Sequence, residues 1–401
     1  MNLNSFKYKA NYFATLLLAF AIPLERRFIA PATILFVATS LLNYRKPEKK
    51  GYRALYFGVI YLIYLFSLSY APNLDDATTD LLTKLPLLLI PLSFYLSQLN
   101  FKVILPNIAF AFVLGCTVAF LASFVNSLIQ FGTTADISSF FYDHISYFSH
   151  PGYMAMLSNF TILIMLLLRR SFKKTPQWLV FSLLFLHSAY LILLSSKTGL
   201  ITMLLTYAVY VIYLMVKHKK YKTGIAILLA SSIGLVAAFQ TSNLFRNRIL
   251  ELSSLFREDQ TSSTSARSII WGISLDLIKE KPLLGYGVGN ENQELEQRYI
   301  AENNEYLVEQ KLNAHNQFLQ TTLATGLPGG LILILLLVLP LWMAFRNNHP
   351  LYLGFILLVL VNFLTESMLE RQVGVTFYAF FNLLLFASYF VSSTENDTPC
   401  T

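Results

Sequence analysis

The sequence predicts an all-α polytopic membrane protein, with about twelve transmembrane helices and one large loop that contains helices of its own. Three observations lead there. The 401 residues are 55% hydrophobic and only 13% charged, with a mean hydropathy of +0.54, whereas a soluble domain carries about 25% charged residues. The apolar residues gather into runs of the length a helix needs to cross a bilayer, roughly 20 residues. The segments between runs alternate in charge, as loops on two sides of a membrane do. No strand-period alternation occurs, which argues against an outer-membrane barrel.

In chain order, residues 1–242 predict about nine spans: 10–24, 28–43, 52–71, 80–97, 103–129, 152–168, 177–195, 198–216 and 223–240, with ends good to a few residues. The first follows Lys7 and Lys9 and has no small-residue cleavage site, so it reads as a span rather than a removed signal peptide. Residues 243–315 form the long polar loop, residues 316–392 predict about three spans (316–345, 351–368 and 373–392), and the tail 393–401 reads as disordered. One set of loops is basic: Arg45, Lys46, Lys49, Lys50 and Arg53; Lys102; Arg169, Arg170, Lys173 and Lys174; Lys217, Lys219, Lys220 and Lys222; Arg346. The other set is long, mixed or poor in Lys and Arg: Asn73–Asp80, Phe131–His150, Ser195–Lys197, Asn243–His315 and Glu366–Arg371. The positive-inside rule puts the basic set and both termini in the cytoplasm, and the polar loop outside. The net charge of +8 follows from that distribution and gives no reason to infer nucleic-acid binding. Cys116 and Cys400 lie far apart and make no disulfide framework.

Within the polar loop, Ile269, Ile270, Ile273, Leu277 and Ile278 keep a helical spacing over Ser268–Lys281. Ser265 is the expected N-cap, which puts Arg267 in the first turn, and Pro282 is the expected stop. Gly285, Gly287 and Gly289 permit a tight turn, and Asn292–Leu312 reads as a second helix.

The chemistry concentrates near the outward membrane surface. His315 stands at the junction of loop and span, where an imidazole can act as a base or donate to a phosphate oxygen. Asn316 follows it, and then Gly326 and Gly329, which allow close packing or a bend. Arg267 near a helix start suits an oxyanion. Arg26, Arg27, Lys84, Lys197 and Arg371 lie at span ends on the same side. Cations at that depth either snorkel to headgroups or face an anionic partner such as a lipid headgroup or pyrophosphate. His150 precedes Pro151 at a span start. Glu366 and Glu370, at i and i+4, share one helix face and could bind a sugar, orient His315, act as a base or pair with the cations. His187, mid-span, reads as a packing residue. No metal-ligand spacing, P-loop, GxSxG or dinucleotide fingerprint occurs, so neither an obligatory metal nor a cofactor is expected.

Two runs carry a resemblance. Arg267, Trp271, Pro282, Gly285, Gly287 and Gly289 form an R-x3-W…PLLGxGxG pattern, and His315, Asn316, Gly326 and Gly329 form HN-x9-GxxG. With His150-Pro151, and with one large loop late in the chain, the sequence resembles the O-antigen ligase and O-antigen polymerase superfamily. Lys197 stands where that family commonly has an arginine. The resemblance implies a GT-C-like, metal-independent glycosyltransferase in the bacterial inner membrane. Its donor would be an undecaprenyl-pyrophosphate-linked glycan and its acceptor, for a ligase, lipid A–core. Arg267, with Lys197 and with Arg371 or Lys84, would hold the pyrophosphate, and His315 would activate the acceptor hydroxyl or assist the departing phosphate. A polymerase or a protein O-glycosyltransferase would share donor and motifs. A transporter would instead put broken helices and charges at mid-membrane and show a repeat between halves.

Overall fold

The computed structural model describes residues 3–44, 51–172, 175–241, 246 and 263–391. Arg45, Lys46, Lys49, Lys50, Lys173 and Lys174, most of the first part of the polar loop, and the tail expected to be disordered lie outside these residues. Among the described residues there is helix and no strand. The α-helices are α1 (Leu3–Ala21), α2 (Arg26–Leu42), α3 (Val59–Ser67), α4 (Leu74–Lys84), α5 (Pro86–Leu96), α6 (Phe101–Thr134), α7 (Pro151–Leu168), α8 (Gln177–Leu194), α9 (Lys197–His218) and α10 (Tyr221–Thr241). After these come α11 (Ser263–Glu280), α12 (Glu291–Ala301), α13 (Glu305–Gln310), α14 (Gln317–Arg346), α15 (Pro350–Thr365) and α16 (Gln372–Phe386).

Eight helical stretches among these residues are long and apolar enough to cross a membrane: Tyr52–Tyr70, Leu74–Leu96, Phe101–Thr134, Pro151–Leu168, Gln177–Leu194, Lys197–His218, Gln317–Arg346 and Gln372–Val391. The apolar α15 is shorter, at 16 residues. Local chemistry sets their ends. The side chains of Asn73, Asn100, Ser196 and Asn316 cap α4, α6, α9 and α14, each satisfying N–H groups that a helix start leaves open. Pro86, Pro151 and Pro350 open α5, α7 and α15, where a missing N–H removes no bond.

Helices α7 and α16 form the centre: 83% and 89% of their span windows are buried. The Phe160 ring centroid lies 5.1, 5.5 and 4.9 Å from those of Phe355, Phe377 and Phe381. Lipid is as apolar as phenylalanine, so this cluster holds by dispersion and edge-to-face packing rather than by escape from water. Helix α15 packs on α7, α9 and α14, while α11 packs on α14. Buried amides add specificity. Asn159 Nδ2 on α7 donates to Thr202 Oγ1 and Gly199 O on α9, both at 2.9 Å. That fixes the middle of α7 against the start of α9, the end that carries Lys197.

Some local expectations need correction. Helix α11 runs from Ser263, so Ser265 lies inside it and Arg267 falls one turn later than expected. The expected second loop helix is two helices, because Asn303 takes a left-handed φ of 53° and Asn304 caps α13. Helix α4 begins at Leu74, inside the segment read as an outward loop.

The two glycine-bearing runs meet. Tyr286 N and Gly287 N donate to Leu323 O and Ala324 O at 2.7 and 3.0 Å, and Leu327 N donates to Pro282 O at 2.8 Å. Gly326 breaks α14 with φ 73° and ψ −179°. A Cβ there would lie 2.2 Å from Leu283 O, and one on Gly285 would lie 2.4 Å from Leu323 O. Only glycine permits both the backbone angles and the approach, so the two runs clamp the loop onto α14.

Candidate active site

A cavity of about 260 Å³ opens between the starts of α7 and α9, α11, α13, and the ends of α13 and α15. His150, Lys197, Arg267, His315 and Glu366 line it, with Tyr142, Ser195, Ser196, Tyr306 and Gln310. Each comes from an element end or a turn. His150 caps α7, its Nδ1 accepting from Gly152 N at 3.3 Å. Lys197 is the first residue of α9, after a corner that Ser195 turns with φ 46°. Glu366 follows α15 with extended backbone. His315 has φ 43°. Tyr142, Ser195 and His315 thus all place left-handed, non-glycine backbone in the cavity wall, the kind of strain that clusters at functional sites.

His315 and Glu366 form the central pair. The Glu366 carboxylate oxygens lie 3.0 and 3.1 Å from His315 Nδ1, and Arg267 Nη2 lies 4.0 Å from Glu366 Oε2. Burial raises the Glu366 carboxyl, but the hydrogen bond from His315 and the charges of His315, His150 and Arg267 outweigh it. The group is held below its ordinary value. An ionised carboxylate only accepts, so Nδ1 presents a proton to it, and Nε2 is the nitrogen left to exchange a proton with a substrate. Burial lowers the His150 imidazole, with Arg371 and His315 acting the same way and Glu366 and Asp143 opposing. The buried Arg267 Nε has no hydrogen-bond partner among the described residues, a donor suited to an anion or water.

Other residues singled out from the sequence lie elsewhere. Asn316 is occupied by the fold: its Oδ1 accepts from Phe318 N and Leu319 N at 2.9 and 3.2 Å, and its Nδ2 donates to Leu364 O at 3.3 Å. Arg26 and Arg27 are exposed at the start of α2, and Arg27 Nε donates to Glu25 at 2.6 Å. Arg371 is exposed before α16 and does not line the cavity. Glu366 and Glu370 share no helix face, because α15 ends at Thr365 and the backbone extends at Glu366.

Lys84 is fully buried, its Nζ 2.5 Å from Asp80 Oδ1 and 2.9 Å from Glu370 Oε1. Asp80, Glu291 and Glu370 bring carboxylate oxygens within 4.8 Å of one another, a grouping that can hold a cation. The Lys84 ammonium already serves two of them. Burial raises Glu291 well above the ordinary carboxylate range, with Asp80 and Glu370 adding to the rise. Tyr64, Asp80, Glu291, Gln317 and Gln320 escaped the sequence reading. The available signal was Gln317 and Gln320, amides three apart at the start of an apolar span.

Residues 180–334 match the family model described as O-Antigen ligase. No curated protein matches the chain. The matched span holds Lys197, Arg267 and His315, while His150 and Glu366, which complete the cavity wall, lie outside it. Across residues 180–334, therefore, this multi-pass membrane chain is similar to the O-antigen ligase family, which supports the resemblance its motifs carry.

Proposed function

We propose that the protein is a glycosyltransferase of the ligase type. It moves a glycan from undecaprenyl pyrophosphate to a hydroxyl of lipid A–core, on the periplasmic face of the bacterial inner membrane. The observation that carries this reading is the His315–Glu366 pair beside Arg267 and Lys197 in one cavity. A base with its second nitrogen fixed by a carboxylate is built to take a proton. Two fixed cations are built to hold a departing diphosphate. The acceptor oxygen bonds to the anomeric carbon as the bond from that carbon to the phosphate oxygen breaks. His315 Nε2 takes the hydroxyl proton, Glu366 stabilises the imidazolium, and Arg267 and Lys197 take up the charge developing on the pyrophosphate. His150, whose imidazole burial lowers from its ordinary value, can donate to the same anion. No step calls on a metal.

The test is transfer by the purified protein in nanodiscs, given labelled undecaprenyl-pyrophosphate glycan and rough lipopolysaccharide with chelator present. Label on lipid A–core supports the ligase. Longer lipid-linked chains without it assign the site to a polymerase, and label on a protein acceptor assigns it to protein glycosylation. Absence of transfer in a preparation that binds the donor refutes the reading.

A further inference from the structure

The buried Lys84 does not line the cavity and has no part in the transfer step described above, yet the hydrogen bonds around it lead to both halves of the His315–Glu366 pair. We propose that Lys84 is a positioning residue, holding Glu366 against His315 through Glu370 and the amides of Gln317 and Gln320. This rests on the reading of His315 as the base.

Three ties converge. Lys84 binds Glu370 at 2.9 Å, and Glu370 ends the single turn Met368–Glu370 that follows Glu366. That turn is closed on Glu366 itself, since Met368 N donates to Glu366 O at 3.0 Å and Ser367 N to Glu366 Oε1 at 3.3 Å. Gln317, two residues after His315 and fully buried, accepts from Leu369 N at 2.6 Å and donates to Thr321 Oγ1 at 3.1 Å. Thr321 in turn accepts from Tyr64 OH at 2.8 Å, and the Tyr64 ring lies 5.1 Å from Lys84 Nζ. Gln320 accepts from Ala314 N, just before His315, at 3.0 Å, and donates to Glu291 Oε1 at 3.3 Å. The backbone that bears His315 and the turn that bears Glu366 are thus fastened to one ionic centre.

A buried lysine among carboxylates is weak evidence of stability, because desolvation offsets the attraction. Its geometry is specific, however, and His315 sits in a strained backbone conformation that its surroundings must hold. Lys84→Met alone leaves Asp80 and Glu370 buried without their cation and threatens folding. The test therefore uses Asp80→Asn/Lys84→Met/Glu370→Gln, which removes the ionic centre without stranding a charge. Two readouts are compared with wild type and with Glu366→Gln. One is steady-state transfer. The other is carbethoxylation of His315 by diethyl pyrocarbonate, followed by peptide mass spectrometry, which needs no turnover.

The triple variant should lose turnover by about ten-fold or more with donor KM within about two-fold, since the loss falls on the transition state. His315 should be modified at a rate close to that in Glu366→Gln and unlike wild type. Adding Glu366→Gln to the triple variant should change neither readout further, because both act through one contact. Restoring Lys84 and Asp80, leaving Glu370→Gln alone, should recover most of the turnover, because the amide oxygen at that position still accepts from Lys84 Nζ. The proposal fails if the combined losses are additive, or if the folded triple variant modifies His315 at the wild-type rate. If wild type modifies as expected but transfers nothing, the function reading fails and the labelling arm still decides the role of Lys84.

Discussion

Glu366→Gln is the most informative single change. It keeps the volume and a hydrogen-bond acceptor for His315 Nδ1 but removes the charge that stabilises the imidazolium formed during transfer. The carboxylate oxygens stand 3.0 and 3.1 Å from Nδ1. With the imidazolium charge spread over the ring, the effective separation is about 4 Å, and at an effective dielectric constant of about 20 the attraction is about 4 kcal/mol. The remaining neutral hydrogen bond and residual solvent reduce the loss to about 2–4 kcal/mol. At 1.36 kcal/mol per decade that is about a 30-fold to 900-fold fall in kcat. Arg267, 4.0 Å from Glu366, loses a competing anion, so donor KM should hold or fall. The assay is the nanodisc transfer reaction with donor varied at saturating acceptor. A kcat within about three-fold of wild type, or a raised KM at unchanged kcat, would refute the base-and-orienter arrangement.

Further expectations follow from the same geometry. Arg267→Lys keeps the charge but loses the planar fork, and should weaken donor binding by about ten-fold, seen as a raised donor KM or a raised Kd by lipid-linked donor titration. Gly326→Ala puts a Cβ 2.2 Å from Leu283 O at a φ of 73°. It should destabilise the loop clamp by at least about 2 kcal/mol, read as a lower Tm in detergent; an unchanged Tm would show that the clamp yields. The acid limb of stability should carry the mark of Glu366. Its folded value is depressed, so its contribution is fully present above the unfolded value, about 4.5, and is lost as pH falls through the folded value. The stability gap between wild type and Glu366→Gln should therefore hold at neutral pH and close below about pH 4.5; a gap that persists at lower pH would contradict the assignment.

The membrane class was legible because hydropathy and helix length are properties of single segments. Gln177–Leu194 and Lys197–His218 could be read as spans without any knowledge of their neighbours. His315 and Lys197, which line the cavity, drew attention for a related reason: a charged or titratable group at a span end has few uses in hydrocarbon; Arg267 did so by its place near a helix start in the polar loop. Pairwise geometry was not legible. Glu366 and Glu370 look like one helix face in the sequence, yet the end of α15 at Thr365 sends one to His315 and the other to Lys84. Lys84 looked like an outward cation and is instead buried among Asp80, Glu370 and Tyr64. The glycines read as freedom to turn, and they are contact points between two distant runs. Periodicity and composition report what each segment does in lipid or water. Which side chain meets which across a hundred or more residues depends on how the helices pack and where each one stops, and only the tertiary structure decides that.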